Sequence, residues 1–466
     1  MARFSLSLSS FISYIFFFTS SASFAQPFNS TEARSLAMGD TGVASAKASS
    51  AAIFNPALLA EKPEGNIQII LPNVGVNVFA DPDAVDAFEN IEDQAYIDNI
   101  TTGSDRINNS INTMDTNEFL AARQQVVDAS QGLDDELSVL SEKPFRINAG
   151  AFASIAFPTR FAGMSAYISS NATIETTPVI DSCDRTTLDE YTKFLNYVQN
   201  EQDIETALRT GIPPFRYRCE GETEDRSILD EASATPALYD PTDDLASHVI
   251  VAGVTTTEFG LSLAKQFEFG SQKISFGITP KIQKITSYWA VPTVQDLDDE
   301  NYEIEDEFKD SEKTENSFNA DLGIATSFLA GDSLTLGLVI KNLIEQDYTT
   351  TTTENGVTGK YSIDRQARAG IAWQAPMGIT LAADLDLTKN SALFLGDDTQ
   401  YLALGAEWDI MKIVRLRAGL RENLENSADQ SISAGLGFNI MAVHFDFAAQ
   451  GGDNNAGGAL QLGLAF

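Results

Sequence analysis

From about residue 65 to its end the chain repeats one pattern, an apolar residue followed by a small or polar one. Leu460, Leu462, Leu464 and Phe466 fall on one face of an extended chain, and Ala459, Gln461, Gly463 and Ala465 on the other. The same period runs through Phe259/Leu261/Leu263, Ile274/Phe276/Ile278, Leu334/Leu336/Leu338/Ile340, Leu381/Ala383/Leu385/Leu387, Val414/Leu416/Ala418/Leu420 and Val443/Phe445/Phe447. Successive side chains of a strand point to opposite faces, so each run has one apolar face and one small or polar face. Fourteen such runs lie near 65–79, 146–157, 160–170, 255–268, 272–289, 316–329, 332–344, 363–375, 377–389, 398–409, 412–422, 430–440, 441–450 and 457–466. Their connections alternate in length. They are short at Pro158-Thr159, Gly270-Ser271, Gly331, Pro376-Met377, Asp409–Met411 and Asn439–Met441, and longer everywhere else. A soluble β-sandwich shares the two-residue period but has no reason to keep loop lengths alternating. An even-stranded membrane barrel, with short turns at one end and long loops at the other, has. The pattern predicts an all-β chain, a single antiparallel transmembrane β-barrel of about 14 strands over 65–466.

The segment before the first run reads differently. Arg3, an apolar stretch over 11–18 and small residues at Ser23 and Ala25 make a secretory signal over 1–25. The apolar stretch is too short to span ~30 Å of hydrocarbon, so it is a leader rather than an anchor. Residues 26–64 are rich in Gly, Ala and Ser and too short to form a core alone. Placed at the barrel entrance they suit an N-terminal hatch, or lumen plug, with Ile53 and Phe54 packed against the wall and Pro56 fixing the chain before strand one. Three long connections remain, 81–145, 171–254 and 291–316. The first two contain helix-like stretches at 117–140 and 188–209, which predicts partly helical extracellular subdomains.

Composition narrows the class. Hydrophobic residues make up 43% of the 466 and charged residues 21%, enough for a packed core. Past the leader no apolar run approaches the roughly 20 residues of a membrane helix, which excludes a helical transporter. The net charge of −36 excludes a nucleic-acid binder, which needs clustered Lys and Arg. By segment, 81–145 hold 15 acidic and 3 basic residues, 171–254 hold 17 and 6, and 291–316 hold 11 and 2. The insertions therefore carry −32 and the barrel itself is nearly neutral. Such acidic loops offer ligands for divalent cations or a surface for a partner. Cys183 and Cys219 fall together in the second insertion, and an exported chain is expected to join them as a disulfide. No CxxC, nucleophile elbow, phosphate loop or metal-ligand spacing occurs, so no enzyme activity, cofactor or metal site is expected.

The stretch Ala33-Arg-Ser-Leu-Ala-Met-Gly-Asp-Thr-Gly-Val-Ala44, followed by Ser50-Ala-Ala-Ile-Phe-Asn-Pro-Ala-Leu-Leu-Ala60, resembles the hatch of FadL-type outer-membrane proteins. There a Gly-rich stretch and an Asn-Pro-Ala turn, here Asn55-Pro56-Ala57, precede the first strand. The acidic insertion after strand one, and the ending His444-Phe-Asp-Phe-Ala-Ala-Gln-Gly-Gly-Asp453 through Phe466, are similar to the barrel-type branch called the plasmid-transfer TraF family. A thioredoxin-like pilus-assembly protein shares that name, but without CxxC this chain is not of that kind. The resemblance implies an outer-membrane channel for small hydrophobic or amphipathic molecules in a Gram-negative bacterium. The alternative it implies is a structural or surface-interaction protein associated with conjugal transfer. It also makes the C-terminal Phe466 the signal read by the barrel-assembly machinery, and gives Ile53, Phe54, Asn55 and Pro56 as hatch or ligand residues.

On the inward face of the later strands, charges alternate in sign: Arg368, then Asp384 and Asp386, then Glu407 and Asp409, then Arg415, Arg417 and Arg421, then Asp446 beside His444. Cross-strand pairing would make them a salt-bridge ladder propping the wall; a polar transit path, or an Arg row for a ligand carboxylate, is the other reading. Trp289, Trp408, Tyr288 and Tyr401 lie near strand ends, where aromatic rings settle at a membrane interface.

Overall fold

The protein is described by a computed structural model covering residues 31–61, 67–141, 143–159, 162–212, 214–230, 237–270, 272–293, 296, 302–329, 331–350, 360–390 and 398–466. The leader over 1–25 lies outside the described residues, as do residues 26–30 and 62–64 of the hatch segment. Fourteen antiparallel strands close into a barrel. In chain order they are β1 (Gln68–Phe79), β2 (Phe145–Phe157), β3 (Gly163–Val179), β4 (His248–Phe269), β5 (Gln272–Ala290), β6 (Lys313–Phe328) and β7 (Leu334–Lys341). There follow β8 (Gln366–Ala375), β9 (Ile379–Asp386), β10 (Tyr401–Ile410), β11 (Val414–Asn423), β12 (Gln430–Ile440), β13 (Val443–Gly451) and β14 (Asn455–Ala465). Each pairs with its neighbours in sequence, and β1 pairs with β14 to close the wall. At that seam Ile67 and Phe466 exchange two backbone hydrogen bonds, of 3.1 and 2.9 Å.

The barrel is inside-out relative to a soluble protein. Leu336, Trp373, Leu404, Trp408, Leu420, Phe445 and Leu460 face outward and are exposed, whereas Asp384, Glu407, Arg417 and Arg421 face inward and are buried. An outward apolar band with a polar interior is the arrangement a bilayer stabilises. Among the described residues no helix is long and apolar enough to cross a membrane. The interfacial placement of the aromatics is corrected in part. Trp408 is exposed on the outer face, but Trp289 and Tyr401 are buried on the inner face, because both occupy inward positions of their strands.

Strand heights are unequal. The wall from β2 to β6 has strands of 13, 17, 22, 19 and 16 residues, against 8 to 11 for β7 to β14. The second insertion is accordingly shorter than the sequence indicates: pairing between β3 and β4 continues to Val179 and His248, well past residues 171 and 254. Thr and Val occupy both faces of that extension, so the apolar alternation fades there although the ladder persists.

The insertions fold into helices α4 (Pro82–Gln94), α5 (Tyr96–Thr113) and α6 (Thr116–Leu140) after β1, and α7 (Ser182–Tyr197) and α8 (Glu201–Thr210) after β3. Asp115, Asp181 and Asn200 cap α6, α7 and α8 by accepting hydrogen bonds from backbone N–H groups of their first turns. The two insertions are one domain with one core. Ile100 and Ile107 of α5 and Phe119 and Val126 of α6 pack with Leu188, Tyr191 and Leu195 of α7 and Ile204 of α8. Separate subdomains are replaced because each insertion has a single apolar face and too few apolar residues to enclose it. The β2–β3 hairpin brings the two faces together. Cys183 and Cys219 are bonded, with Cα atoms 5.1 Å apart, and close a 36-residue separation worth about 4 kcal/mol on chain-entropy grounds. The third insertion contributes α9 (Ile304–Ser311), whose Ser311 hydroxyl accepts from the backbone N–H of Trp289 at 2.9 Å.

Candidate functional site

Residues 31–61 lie inside the barrel. They form three short helices, α1 (Ala33–Leu36) against β12, β13 and β14, α2 (Ala48–Phe54) against β1 to β4, and α3 (Leu58–Glu61) against β3 to β6. The segment is rich in small side chains, and Ala33, Ala37, Val43, Ala51, Asn55, Ala57 and Leu59 are fully buried. A bulge helps to seat it. Pro72 has no N–H to give the ladder, and the register of β1 shifts between Ile70 and Asn73 against both neighbours. The shift turns Asn73 inward, where its amide accepts from the backbone N–H of Ala33 (2.9 Å) and donates to the carbonyl of Thr31 (2.7 Å).

Glycines on the inner wall let the hatch backbone lie directly on the strands. A Cβ at Gly419 would overlap the backbone nitrogen of Gly39, one at Gly337 the carbonyl of Val43, and one at Gly277 the backbone of Pro56 and Ala57. Gly405, against Met38, and Gly323, against the Asn55 amide, complete the arc. Each occupies an inward position of a different strand, β5, β6, β7, β10 or β11. The wall is thinned where the hatch touches it.

Asn55 is the keystone of the Asn-Pro-Ala turn. Its amide donates to the carbonyls of Val43 (3.0 Å) and Ile324 (3.1 Å), and its oxygen accepts from the Ala57 N–H (3.1 Å). Ile53 meets the wall at Ile70, Phe152 and Tyr167. The Phe54 ring turns back onto the hatch's own Gly42, while Pro56 lies against Gly323.

The inward charges form a network in which hatch and wall alternate. Arg34 of the hatch makes a two-pronged contact with Glu407 (2.9 and 3.2 Å); Glu407 also accepts from Arg417 (2.7 Å), which donates to Asp446 (2.6 Å). Asp384 accepts from the backbone N–H groups of Gly42 (2.7 Å) and Val43 (2.9 Å). Arg421 donates to Asp40 of the hatch (2.7 Å). Arg368 pairs with Asp386 on the facing strand (2.5 Å) and reaches the carbonyl of Asp40 (3.4 Å). Asp409 and Arg415 pair at 3.3 Å beside the short turn and are partly exposed, and His444 lies half-buried against Gly463. Phe466 is exposed at the seam. Of the inward charges expected from the sequence, Arg368, Asp384, Glu407 and Arg421 thus touch the hatch, and Arg417 and Asp446 are joined to it through Glu407.

Two hatch members of this network, Arg34 and Asp40, were not legible in the sequence. On the opposite wall Lys281 bridges Glu258 (3.0 Å) and Asp321 (3.1 Å), and Glu258 accepts from Gln283 and Tyr167. This second cluster occupies inward strand positions, so the alternation that exposed the first could have found it. Removing Glu407 would leave Arg34 buried without its carboxylate, a loss of about 3 kcal/mol in hatch seating. Glu407→Ala is expected to raise trypsin cleavage after Arg34 or Lys47 in the folded barrel roughly 150-fold. Limited digestion followed by mass spectrometry measures it.

A fourteen-stranded membrane barrel with its lumen occupied by its own N-terminal segment is the class that fold and site define. Residues 52–386 match the family described as "F plasmid transfer operon, TraF, protein", and the chain belongs to that family. Among solved structures it is similar in fold to a FadL homologue of Pseudomonas aeruginosa (11% identity, 96% of this chain and 99% of that one, TM-score 0.44). It is also similar to the toluene transporter TbuX of Ralstonia pickettii (11%, 93% and 97%, 0.43) and to the toluene transporter TodX of Pseudomonas putida (10%, 96% and 98%, 0.40). No curated protein matches it in sequence.

Proposed function

We propose that the protein is a channel of the Gram-negative outer membrane for small hydrophobic or amphipathic molecules, closed by its hatch and conducting when the hatch shifts. The observation that carries this reading is how the hatch is held. Its contacts with the wall are hydrogen bonds, ion pairs and close backbone approaches, interspersed with small separate apolar patches around Leu36, Met38, Val43, Ile53 and Leu59 rather than one continuous core. Buried ion pairs contribute little net stability against their desolvation, so such a plug can leave without unfolding a core. The even strand count, the short turns at one end and the helical insertions at the other support an orientation with the chain ends on the periplasmic side. The cargo class rests on the resemblance of the Asn55-Pro56-Ala57 hatch to FadL-type proteins.

The test is uptake by proteoliposomes of toluene, the molecule named for two of the similar structures, and of a long-chain carboxylate. Entry faster than into protein-free vesicles, and faster still in a hatch-loosened variant such as Glu407→Ala, is the expected result. No entry of either cargo through wild type or variant would discard the reading.

A second reading, partner contact during plasmid transfer, is favoured by one observation: the first two insertions build a single domain with a core of its own, which transport does not require. Replacing 85–140 by a short linker would then abolish partner contact and spare cargo entry.

A further inference from the structure

Above the hatch, on the side of the helical insertions, one carboxylate gathers groups from across the mouth of the barrel. Asp429 ends the loop from 424 to 429 between β11 and β12 and is 1% exposed. It accepts from Arg146 of β2 (2.8 Å), from the Tyr401 hydroxyl of β10 (2.6 Å) and from the Asn455 amide of β14 (3.1 Å). The Arg421 guanidinium approaches it to 3.6 Å and stacks over the Tyr401 ring at 4.7 Å. That same guanidinium donates to Asp40 of the hatch. Asp429 directly precedes β12, and β1, β14 and β13 stand between that strand and β2, so the contact of Arg146 with Asp429 bridges part of the mouth rather than neighbouring strands. Beside Arg146 and Asp429, a small cavity lined also by Phe79, Phe145 and Glu175 holds about 20 Å³, room for one water.

Arg146 also stands at the root of the helical domain. Its neighbour Phe145 packs on Phe88 of α4, with ring centroids 5.4 Å apart, in a cluster with Ala84 and Leu140. We propose that Arg146, Asp429, Arg421 and Asp40 form a latch that couples the helical domain to the hatch, so that a pull on the domain opens the mouth and releases the plug together. The two arginines and two aspartates balance in charge. Parting Arg146 from Asp429 leaves Arg421 as its remaining arginine partner beside the Tyr401 and Asn455 hydrogen bonds, which draws Arg421 toward Asp429 and weakens its hold on Asp40. The proposal rests on the hatch being the moving part, but it says nothing of cargo.

The test reads hatch exposure without transport. Both native cysteines are bonded, so Ser50→Cys on buried α2 supplies the single free thiol of the full-length protein in liposomes. Maleimide labelling is then followed with Arg146→Gln, which touches no hatch residue. Labelling about tenfold faster is expected, as is no additional gain when Arg146→Gln is combined with Asp40→Asn beyond Asp40→Asn alone. Unchanged labelling in Arg146→Gln, or gains that multiply in the double variant, would overturn the latch. Coupling is reciprocal, so a spin label on Ala428→Cys in the mouth loop must become more mobile with Asp40→Asn. This second measurement stands if Arg146→Gln fails to assemble, and an unaltered spectrum there also defeats the proposal. A protein that moves no cargo and still shows both effects keeps its latch and loses only its proposed function.

Discussion

Gly419→Val is expected to turn a closed barrel into a leaky one. The inner face of β11 at this position has no side chain, and the backbone of Gly39 and Met38 occupies the space a Cβ would take. Neither partner can yield in place. β11 is hydrogen-bonded along its length to β10 and β12, and Gly39 is tied to Ser433 (3.1 Å) within a hatch turn of positive φ. Overpacking of a close contact costs about 1–3 kcal/mol, and here the β-branched side chain meets backbone rather than a flexible neighbour. Escape of the hatch is the available relaxation. The open fraction should therefore rise roughly 5- to 150-fold, read as ionic conductance of single barrels in planar bilayers. Gly458→Ala, on the outward face of β14, serves as control and should leave conductance unchanged.

Phe119→Ala is expected to melt the helical domain while the barrel stands. Phe119 is fully buried where α6 meets the second insertion, and truncating such a ring costs about 3–5 kcal/mol. A domain of this size has little more than that to spare. The loss should appear as reduced helical circular dichroism and as rapid proteolysis in both 80–144 and 180–247, with the strand signal intact. Cleavage confined to the first insertion would mean that the halves stand independently. The disulfide at Cys183 and Cys219 limits the spread of the unfolded second half but does not hold its core.

The barrel was legible because two signals agreed. The two-residue period gave the strands, and the parity of loop lengths gave their direction and closure. Charges on the inward face were legible for the same reason: Glu407, Arg417 and Arg421 stand at positions the alternation assigns to the lumen. Arg34 and Asp40 escaped because the hatch has no period to orient them, and only contact with the wall gives them partners. The glycine arc was written in the sequence, at inward positions of strand after strand, where the absence of a side chain signals another backbone nearby. The single core of the first two insertions was not written anywhere locally. Which of two amphipathic surfaces a helix covers is decided by neighbours that arrive through the barrel.

The unequal strands have a consequence for how anything reaches the lumen. At about 3.3 Å per residue and a tilt near 40°, the 22 residues of β4 rise about 55 Å along the axis, and the 8 residues of β9 about 20 Å. The rim is therefore a slope, with a helical parapet on its high side and the Asp429 loop near its low lip. A large water-borne body arriving from above strikes the parapet first. A smaller body that comes in over the low side meets the Asp429 loop first, so the slope of the rim presents different faces of the same protein to the two.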